Sequence, residues 1–335
     1  MSPVALRLAA AALALGCAGC GPAAGEATVL RLGHELDTAH PVHRAMLHLD
    51  ERLQALSGGT MRVEVFPSRQ LGNERESLEL LQIGSLAMTK VSASVLENFA
   101  PSASVLAVPY LFRDSAHQVT VLDGPIGDRL LASPARFRLR GLAFYDAGAR
   151  SFYTVGRPVR SPADLDGLKV RTQESQSAIR MVRALGGSPT PISYGELYTA
   201  LQQGVVDGAE NNPPSFYLSR HYEVARHYAL DEHTAVPDVL LISGPVWDGL
   251  TDQQQTWLRQ AARESAEVQR VLWAEATAQA LAAVREAGVE VTTVDKAPFR
   301  ERVAPLVAEL EADPELGGLI REIRQTGAPA DGGDS

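Results

Sequence analysis

From position 27 onward, the apolar residues of this 335-residue chain fall into short runs of two kinds, and their alternation predicts the fold. Val29 to Leu32 and Met61 to Phe66 are patterned as strands, whereas Val42 to Leu56 has helical spacing and stops at Gly58-Gly59. A second helix is predicted from about Asn73 to Ile83, with Glu74 and Glu76 in its first turn, where the helix dipole favours acids. The same order recurs at Gly141 to Tyr145, Leu168 to Arg171 and a helix from about Ser175 to Leu185. Strands alternating with helices predict an α/β fold with largely parallel sheets. No repeat, low-complexity tract or Gly/Ser linker divides the chain, so it is expected to cross between two domains several times.

Thr251 to Ala287 is nearly free of helix breakers and carries Trp257, Leu258, Ala261, Val268, Val271 and Leu272 at helical spacing, with Thr251-Asp252 as the cap. At ~1.5 Å per residue this helix exceeds ~50 Å, longer than one small domain, and is expected to brace both lobes. A coiled coil is disfavoured, because no clean heptad runs through it.

Composition adds limits. With 45% hydrophobic and 21% charged residues the chain can build two cores. Its 40 acidic against 31 basic residues give a net charge of -9, which argues against nucleic acid or an anionic membrane surface as the main partner. An anion site must then be a local basic pocket.

The N-terminus has the form of an export signal. Arg7 is the only charged residue before Glu26, and the apolar run Leu8 to Leu15 leads into Cys17 and Cys20. That run is too short to span a bilayer. Ala18-Gly19-Cys20 followed by Gly21-Pro22 resembles a lipobox, which makes Cys20 the expected lipidated residue. Leu15-Gly16-Cys17 offers a second register, and a soluble-secretion signal cut near Ala24 or Ala27 is the plainer alternative. With Cys20 lipidated the folded part holds no thiol, which excludes disulfide and metal-thiolate chemistry.

Catalytic signatures are missing from the sequence: there is no Gly-x-Ser-x-Gly elbow, phosphate loop or Gly-x-Gly-x-x-Gly, and no cofactor is implied. His34-Glu35 opens like a zinc-protease motif, but the next histidine, His40, lies six residues on where a helical ligand pair needs four, so no metal is expected. Polar residues do gather at the carboxyl ends of expected strands, where open α/β sheets bind ligands. Arg150 follows Leu142 to Tyr145 and the turn Asp146-Ala147-Gly148-Ala149, and Arg171 ends Gly167 to Arg171. One such arginine is ordinarily a surface or salt-bridge residue. Two on successive strands suit a carboxylate, which the planar guanidinium fork pairs bidentately.

At the level of motifs, Arg150, Pro162-Ala163-Asp164-Leu165-Asp166-Gly167-Leu168-Lys169-Val170-Arg171, Gly186-Gly187-Ser188-Pro189-Thr190-Pro191 and Glu196 through Asn211 resemble the solute-binding proteins of tripartite ATP-independent periplasmic (TRAP) transporters. Phe66 through Glu76 and Pro109-Tyr110-Leu111-Phe112-Arg113 fit the same pattern, so the resemblance runs from about Leu30 to Val294. It implies a two-lobed periplasmic binding protein fold, with a mostly parallel sheet and helices in each lobe, a long bracing helix and a hinge. Its implied division is 1–26 as signal and tether, 27–147 plus 236–275 as one lobe, and 148–235 plus 276–330 as the other.

In the site the resemblance makes Arg171 the carboxylate ligand, with Arg150 assisting, Asn211 completing the clamp and Tyr194 as an aromatic wall. From the other lobe it brings Glu35, Glu74, Lys90 and Ser92. His233 reads as a packed residue near the hinge. The segment Thr89 to Val95 departs from the sialic-acid binders, which carry an acid and a further arginine there. Asp146 to Tyr153, Glu210-Asn211-Asn212-Pro213 and Ser219 to Val224 look like the subgroup associated with glucuronate, galacturonate and related aldonates. The implied partners are a small carboxylate and the membrane subunits of a TRAP transporter, in the periplasm on a lipid anchor. Another organic acid, a sensor, or an enzyme acting on sugar acids are the competing readings.

Overall fold

The computed structural model describes residues 27–327. Eleven strands form two sheets. In the first, β1 (Thr28–Gly33), β2 (Met61–Phe66), β3 (Met88–Ser92) and β4 (Leu139–Tyr145) come from the first half of the chain. The second takes β5 (Arg150–Thr154), β6 (Lys169–Thr172), β7 (Ser188–Pro191), β8 (Gly208–Asn211) and β9 (His227–Thr234). Then β10 (Asp238–Ser243) returns to the first sheet and β11 (Glu290–Thr293) to the second, giving the orders β2-β1-β3-β10-β4 and β11-β9-β5-β8-β6-β7.

The sheets are mixed, where the sequence predicts largely parallel ones. All four antiparallel pairings involve β5 or β10, the strands that follow a crossing between lobes. A strand arriving from the other lobe needs no helical crossover and can enter the sheet from the opposite end. The crossings themselves are short: residues 146–149 join β4 to β5, and residues 235–237 join β9 to β10.

Period-two alternation decides which side each residue serves. Along β10, Val239 and Leu241 enter one core layer with Val91 and Phe144, while Leu240 and Ile242 enter the opposite layer with Leu32 and Tyr145. In the second lobe Phe152 and Tyr153 divide in the same way between its two layers. The first helix, Pro41–Ser57, ends where Gly58 turns left-handed, with φ of 60°.

The bracing helix spans Asp252–Glu286, capped by Thr251 with a reciprocal bond to Gln254. Its 35 residues give a length of about 52 Å. Its first two-thirds packs Leu258, Ala261, Ala262, Ala266 and Trp273 on the first lobe, and its last turn inserts Val284 into the second. Of the apolar residues at helical spacing, Val271 is 60% exposed. The buried stripe is made of small and polar residues. Ser265 bonds the Tyr145 hydroxyl at 2.7 Å, and the Gln269 amide holds both backbone groups of Asp146 at 2.7 and 2.8 Å. The helix thus grips the first crossing at its start. Beside it, Gly148 has φ of 60° and meets Trp273, where a Cβ would lie 2.9 Å from the indole nitrogen.

The last helix, Gly317–Gln325, sends Ile320 and Ile323 into the first lobe's core. The sequence division placed residues up to 330 with the second lobe. The intervening helix Ala297–Ala312 puts Phe299 and Val303 in the second core and shares Val307 with both, so the tail straps back across. Among the described residues no helix is long and apolar enough to cross a membrane. The expected signal and Cys20 lie outside the described residues.

Candidate ligand-binding site

A cavity lies between the lobes, lined from both sheets. From the second lobe, Arg171 near the end of β6 is in register with Ala209 on β8, and Asn211 ends β8 opposite Ser151. Arg150 opens β5. Because β5 runs antiparallel to β8, the start of β5 lies level with the carboxyl ends of its neighbours, so a residue at a strand's beginning reaches the same cavity.

The two arginines differ in their environment. Arg150 is locked in a buried ion pair: Nε donates to Glu210 Oε2, and Nη2 donates to Oε1 at 2.9 Å and to the Glu210 carbonyl at 2.8 Å. Its Nη1 donates to Asn211 Oδ1 at 3.0 Å. Burial opposes the charge on Glu210, but Arg150 and His233 outweigh it and hold the carboxyl down to about 2. His233 lies 3.5 Å from Glu210 and donates Nδ1–H to Asp231 at 2.8 Å. Burial disfavours its imidazolium too, yet Asp231 and Glu210 push it up to about 9, so His233 is the packed, paired residue that its position near the hinge suggested.

Arg171 is only 3% exposed and has no acidic partner within 4 Å among the described residues. Nε donates to the Ile192 carbonyl at 2.8 Å, and its two terminal nitrogens make no hydrogen bond to the described protein. Burial and then the nearby Arg150 lower its pKa, against the pull of Glu210 and Glu35. A guanidinium with its fork toward a cavity and no protein anion is prepared for an external one.

The first lobe presents a different chemistry. Glu35 follows β1, and its Oε1 accepts the backbone N–H of Glu74 at 3.1 Å. Glu74 opens the helix Glu74–Ile83, and its Oε1 accepts from Lys90 Nζ and from the Ser92 N–H, each at 3.1 Å. Lys90 also meets Asp238 Oδ2 at 3.1 Å. Burial, and next the charge of Glu74, push Glu35 up to about 7. Lys90 is raised because Asp238 and Glu74 overcome its burial. His40 is kept neutral by burial and by Lys90. Its Nδ1 accepts the Val42 N–H, which leaves Nε2–H facing Ser215 Oγ of the other lobe at 3.4 Å.

Direct contacts join the two walls. Glu97 Oε1 accepts the Ser177 N–H at 3.0 Å, at the start of the helix Gln176–Leu185, and Asn98 Nδ2 donates to the Glu174 carbonyl at 2.6 Å. The second Glu97 oxygen is buried without a partner among the described residues. Arg69 lies against Gly195, where a Cβ would stand 2.1 Å from Nη1. The lobes are closed on each other.

All eight predicted ligand residues, Glu35, Glu74, Lys90, Ser92, Arg150, Arg171, Tyr194 and Asn211, line this cavity. The sequence reading missed Asp238, Trp273, Ser215 and Glu210. Asp238 had a signal in the Pro237-Asp238 pair ahead of an apolar strand. Only the register, which sets it opposite Ser92, reveals its partner. His34 and His40 do not meet as ligands. His34 pairs with His43 at 3.0 Å, and the described residues contain no group of three metal donors.

Comparison with known proteins agrees. The sequence pattern of the bacterial extracellular solute-binding proteins, family 7, matches residues 32–313. Three crystal structures of TRAP periplasmic solute binding proteins align closely. That from Bradyrhizobium sp. is 44% identical, with 89% of this chain and 99% of that one covered, at a TM-score of 0.87, and is a complex with α/β-D-galacturonate. One from Xanthobacter autotrophicus, 41% identical with the same coverage and a TM-score of 0.86, holds β-D-galacturonate. The Roseobacter denitrificans protein, 38% identical with 89% and 99% covered and a TM-score of 0.85, holds β-D-glucuronate. With the match spanning most of its length, the chain belongs to family 7 of the bacterial extracellular solute-binding proteins, the DctP-type binding proteins of TRAP transporters.

Proposed function

We propose that this protein captures a hexuronate, D-galacturonate or D-glucuronate, or a related aldonate, and delivers it to TRAP membrane subunits. The observation that carries this reading is the unpaired fork of Arg171 facing acids across a closed cleft. Arg171 grips the sugar carboxylate. Arg150, fixed by Glu210, positions Asn211, whose amide NH2 has no partner among the described residues. Glu35 and Glu74 accept sugar hydroxyls, Lys90 and Ser92 orient those acids, and Tyr194 forms a wall.

Closure follows from magnitude. Micromolar binding needs about 8 kcal/mol, whereas a solvent-exposed ion pair is worth roughly 0–1 kcal/mol. A dry, bidentate pairing with satisfied hydroxyls is required. The lobes divide as residues 27–147 plus 236–275 and residues 148–235 plus 276–312, with 317–325 strapped to the first. Cys20 carries a lipid that tethers the protein in the periplasm. The protein binds without catalysing turnover, the role that its membership of a solute-binding family supports.

Isothermal titration with D-galacturonate and D-glucuronate, with D-galactose as the neutral control, tests the reading. Micromolar or tighter binding of a uronate alone is expected, with the sugar recovered unchanged by NMR. Binding of galactose with equal affinity would overturn the carboxylate assignment.

A further inference from the structure

We propose that this cavity selects monocarboxylates and rejects diacids of the same carbon skeleton, because its far end is an anionic pole built from Glu35, Glu74 and Asp238 around the single ammonium of Lys90. The inference rests on the sugar-acid reading and specifies its chemical class.

Two carboxyl groups contact the one ammonium of the first lobe, and a third stands beside them. Lys90 Nζ touches both Glu74 and Asp238 at 3.1 Å, so it is already shared between two acids and has no charge left for an arriving anion. Glu35 adds a third acid, anchored to the Glu74 backbone. Arg69, the other cation that influences Glu35, lies against Gly195 and does not line the cavity. On the opposite wall Arg150 is taken up by Glu210, leaving the Arg171 fork as the one cationic group in the lining without an acidic partner. The cavity is therefore bipolar: one place for an anion, and opposite it a surplus of acceptors that want protons.

A uronate matches both poles, with its carboxylate at Arg171 and hydroxyl donors at the acids. The matching aldarate carries a second carboxylate where the uronate has its aldehyde or ring hydroxyl. As a dianion it sets like charges together in a poorly screened space, a repulsive element of the kind that specificity relies on. As a monoanion it is scarce, because free carboxyl groups titrate near ~3.5, more than three decades below neutral pH.

The test is titration calorimetry at pH 7.5 with D-galacturonate and with galactarate, its six-carbon diacid. Galactarate is expected to bind ~100-fold more weakly. A difference under ~10-fold overturns the proposal. If neither these acids nor the matching aldonate, galactonate, binds, the sugar-acid reading itself is refuted and this inference with it. Glu35→Gln keeps an acceptor for the Glu74 N–H and removes one acid. The ratio between the two ligands is expected to narrow ~10-fold, and an unchanged ratio refutes the electrostatic origin of the selectivity. Should that variant fail to melt cooperatively, Glu74→Gln carries the same test with the same outcomes.

Discussion

Replacing Arg171 with methionine is expected to make the ligand-free protein more stable while destroying its affinity. The side chain is 3% exposed and has no acidic partner within 4 Å among the described residues, so folding buries a charge that the Ile192 carbonyl and the more distant Glu210 and Glu35 only partly offset. Exchanging an undercompensated buried ion for an apolar chain of similar length typically gains about 1–4 kcal/mol, and the lost Nε bond removes about 1 kcal/mol of that. The net gain of about 0–3 kcal/mol corresponds to a rise of up to roughly 5 °C in melting temperature for a chain of this size. Binding moves the other way. Two charged hydrogen bonds at about 1.5–3 kcal/mol each place the loss at 3 kcal/mol or more, about 150-fold or greater. Differential scanning calorimetry of the apo-protein and titration with D-galacturonate read the two effects separately. A variant that melts lower than the parent, or that keeps its affinity, refutes the assignment of Arg171 as a ligand group held under strain.

Other residues give further tests. Glu97→Ala cuts the contact to Ser177 and removes a buried oxygen without a partner, so ligand is expected to leave about 10-fold faster in stopped-flow fluorescence while the apo melting temperature holds or rises. A slower or unchanged off-rate counts against the latch. Across the cleft, Gly195→Ala sets a Cβ against the far end of the Arg69 side chain, which must swing aside, and is expected to weaken binding by no more than about 3-fold without changing the apo melting point, because the contact exists only between closed lobes. An equally destabilised apo-protein means the clash persists within one lobe. The Glu35 carboxyl titrates near 7 in the fold instead of its ordinary 4.5, so its contribution to stability is fully present below about pH 4.5 and lost as pH rises through 7. Glu35→Gln should therefore raise the apo melting temperature at pH 8 but leave it close to the parent at pH 5, and equal shifts at both pH values exclude this origin.

What could be read from the sequence followed local periodicity. The helices Pro41–Ser57 and Glu74–Ile83 and the strands Met61–Phe66 and Lys169–Thr172 lie where the apolar spacing and the terminal glycines put them. Arg171, Asn211 and Glu74, which line the cavity, could be singled out because each sits at an element's end and within a motif. What stayed hidden depends on pairing between distant segments. Nothing near Arg150 announces that Glu210, on the neighbouring strand, holds it, nor that β5 runs against its neighbours. Asp238 meets Lys90 only because β10 threads between β3 and β4. Apolar spacing alone does not fix the inward face of the bracing helix: Val271 is exposed, and close approach to the first lobe favours Ala261, Ala262 and Ser265 over larger side chains.

The return of β10 between β3 and β4 also fixes the order in which the molecule can be assembled. Until residues 238–243 have been made, β4 has no strand joining it to β3 and is cut off from the rest of the first sheet. Lobe-by-lobe folding from the amino terminus is closed to this chain. A fragment stopping at residue 147 would display two naked strand edges and pair with its own copies instead of forming half a binding protein.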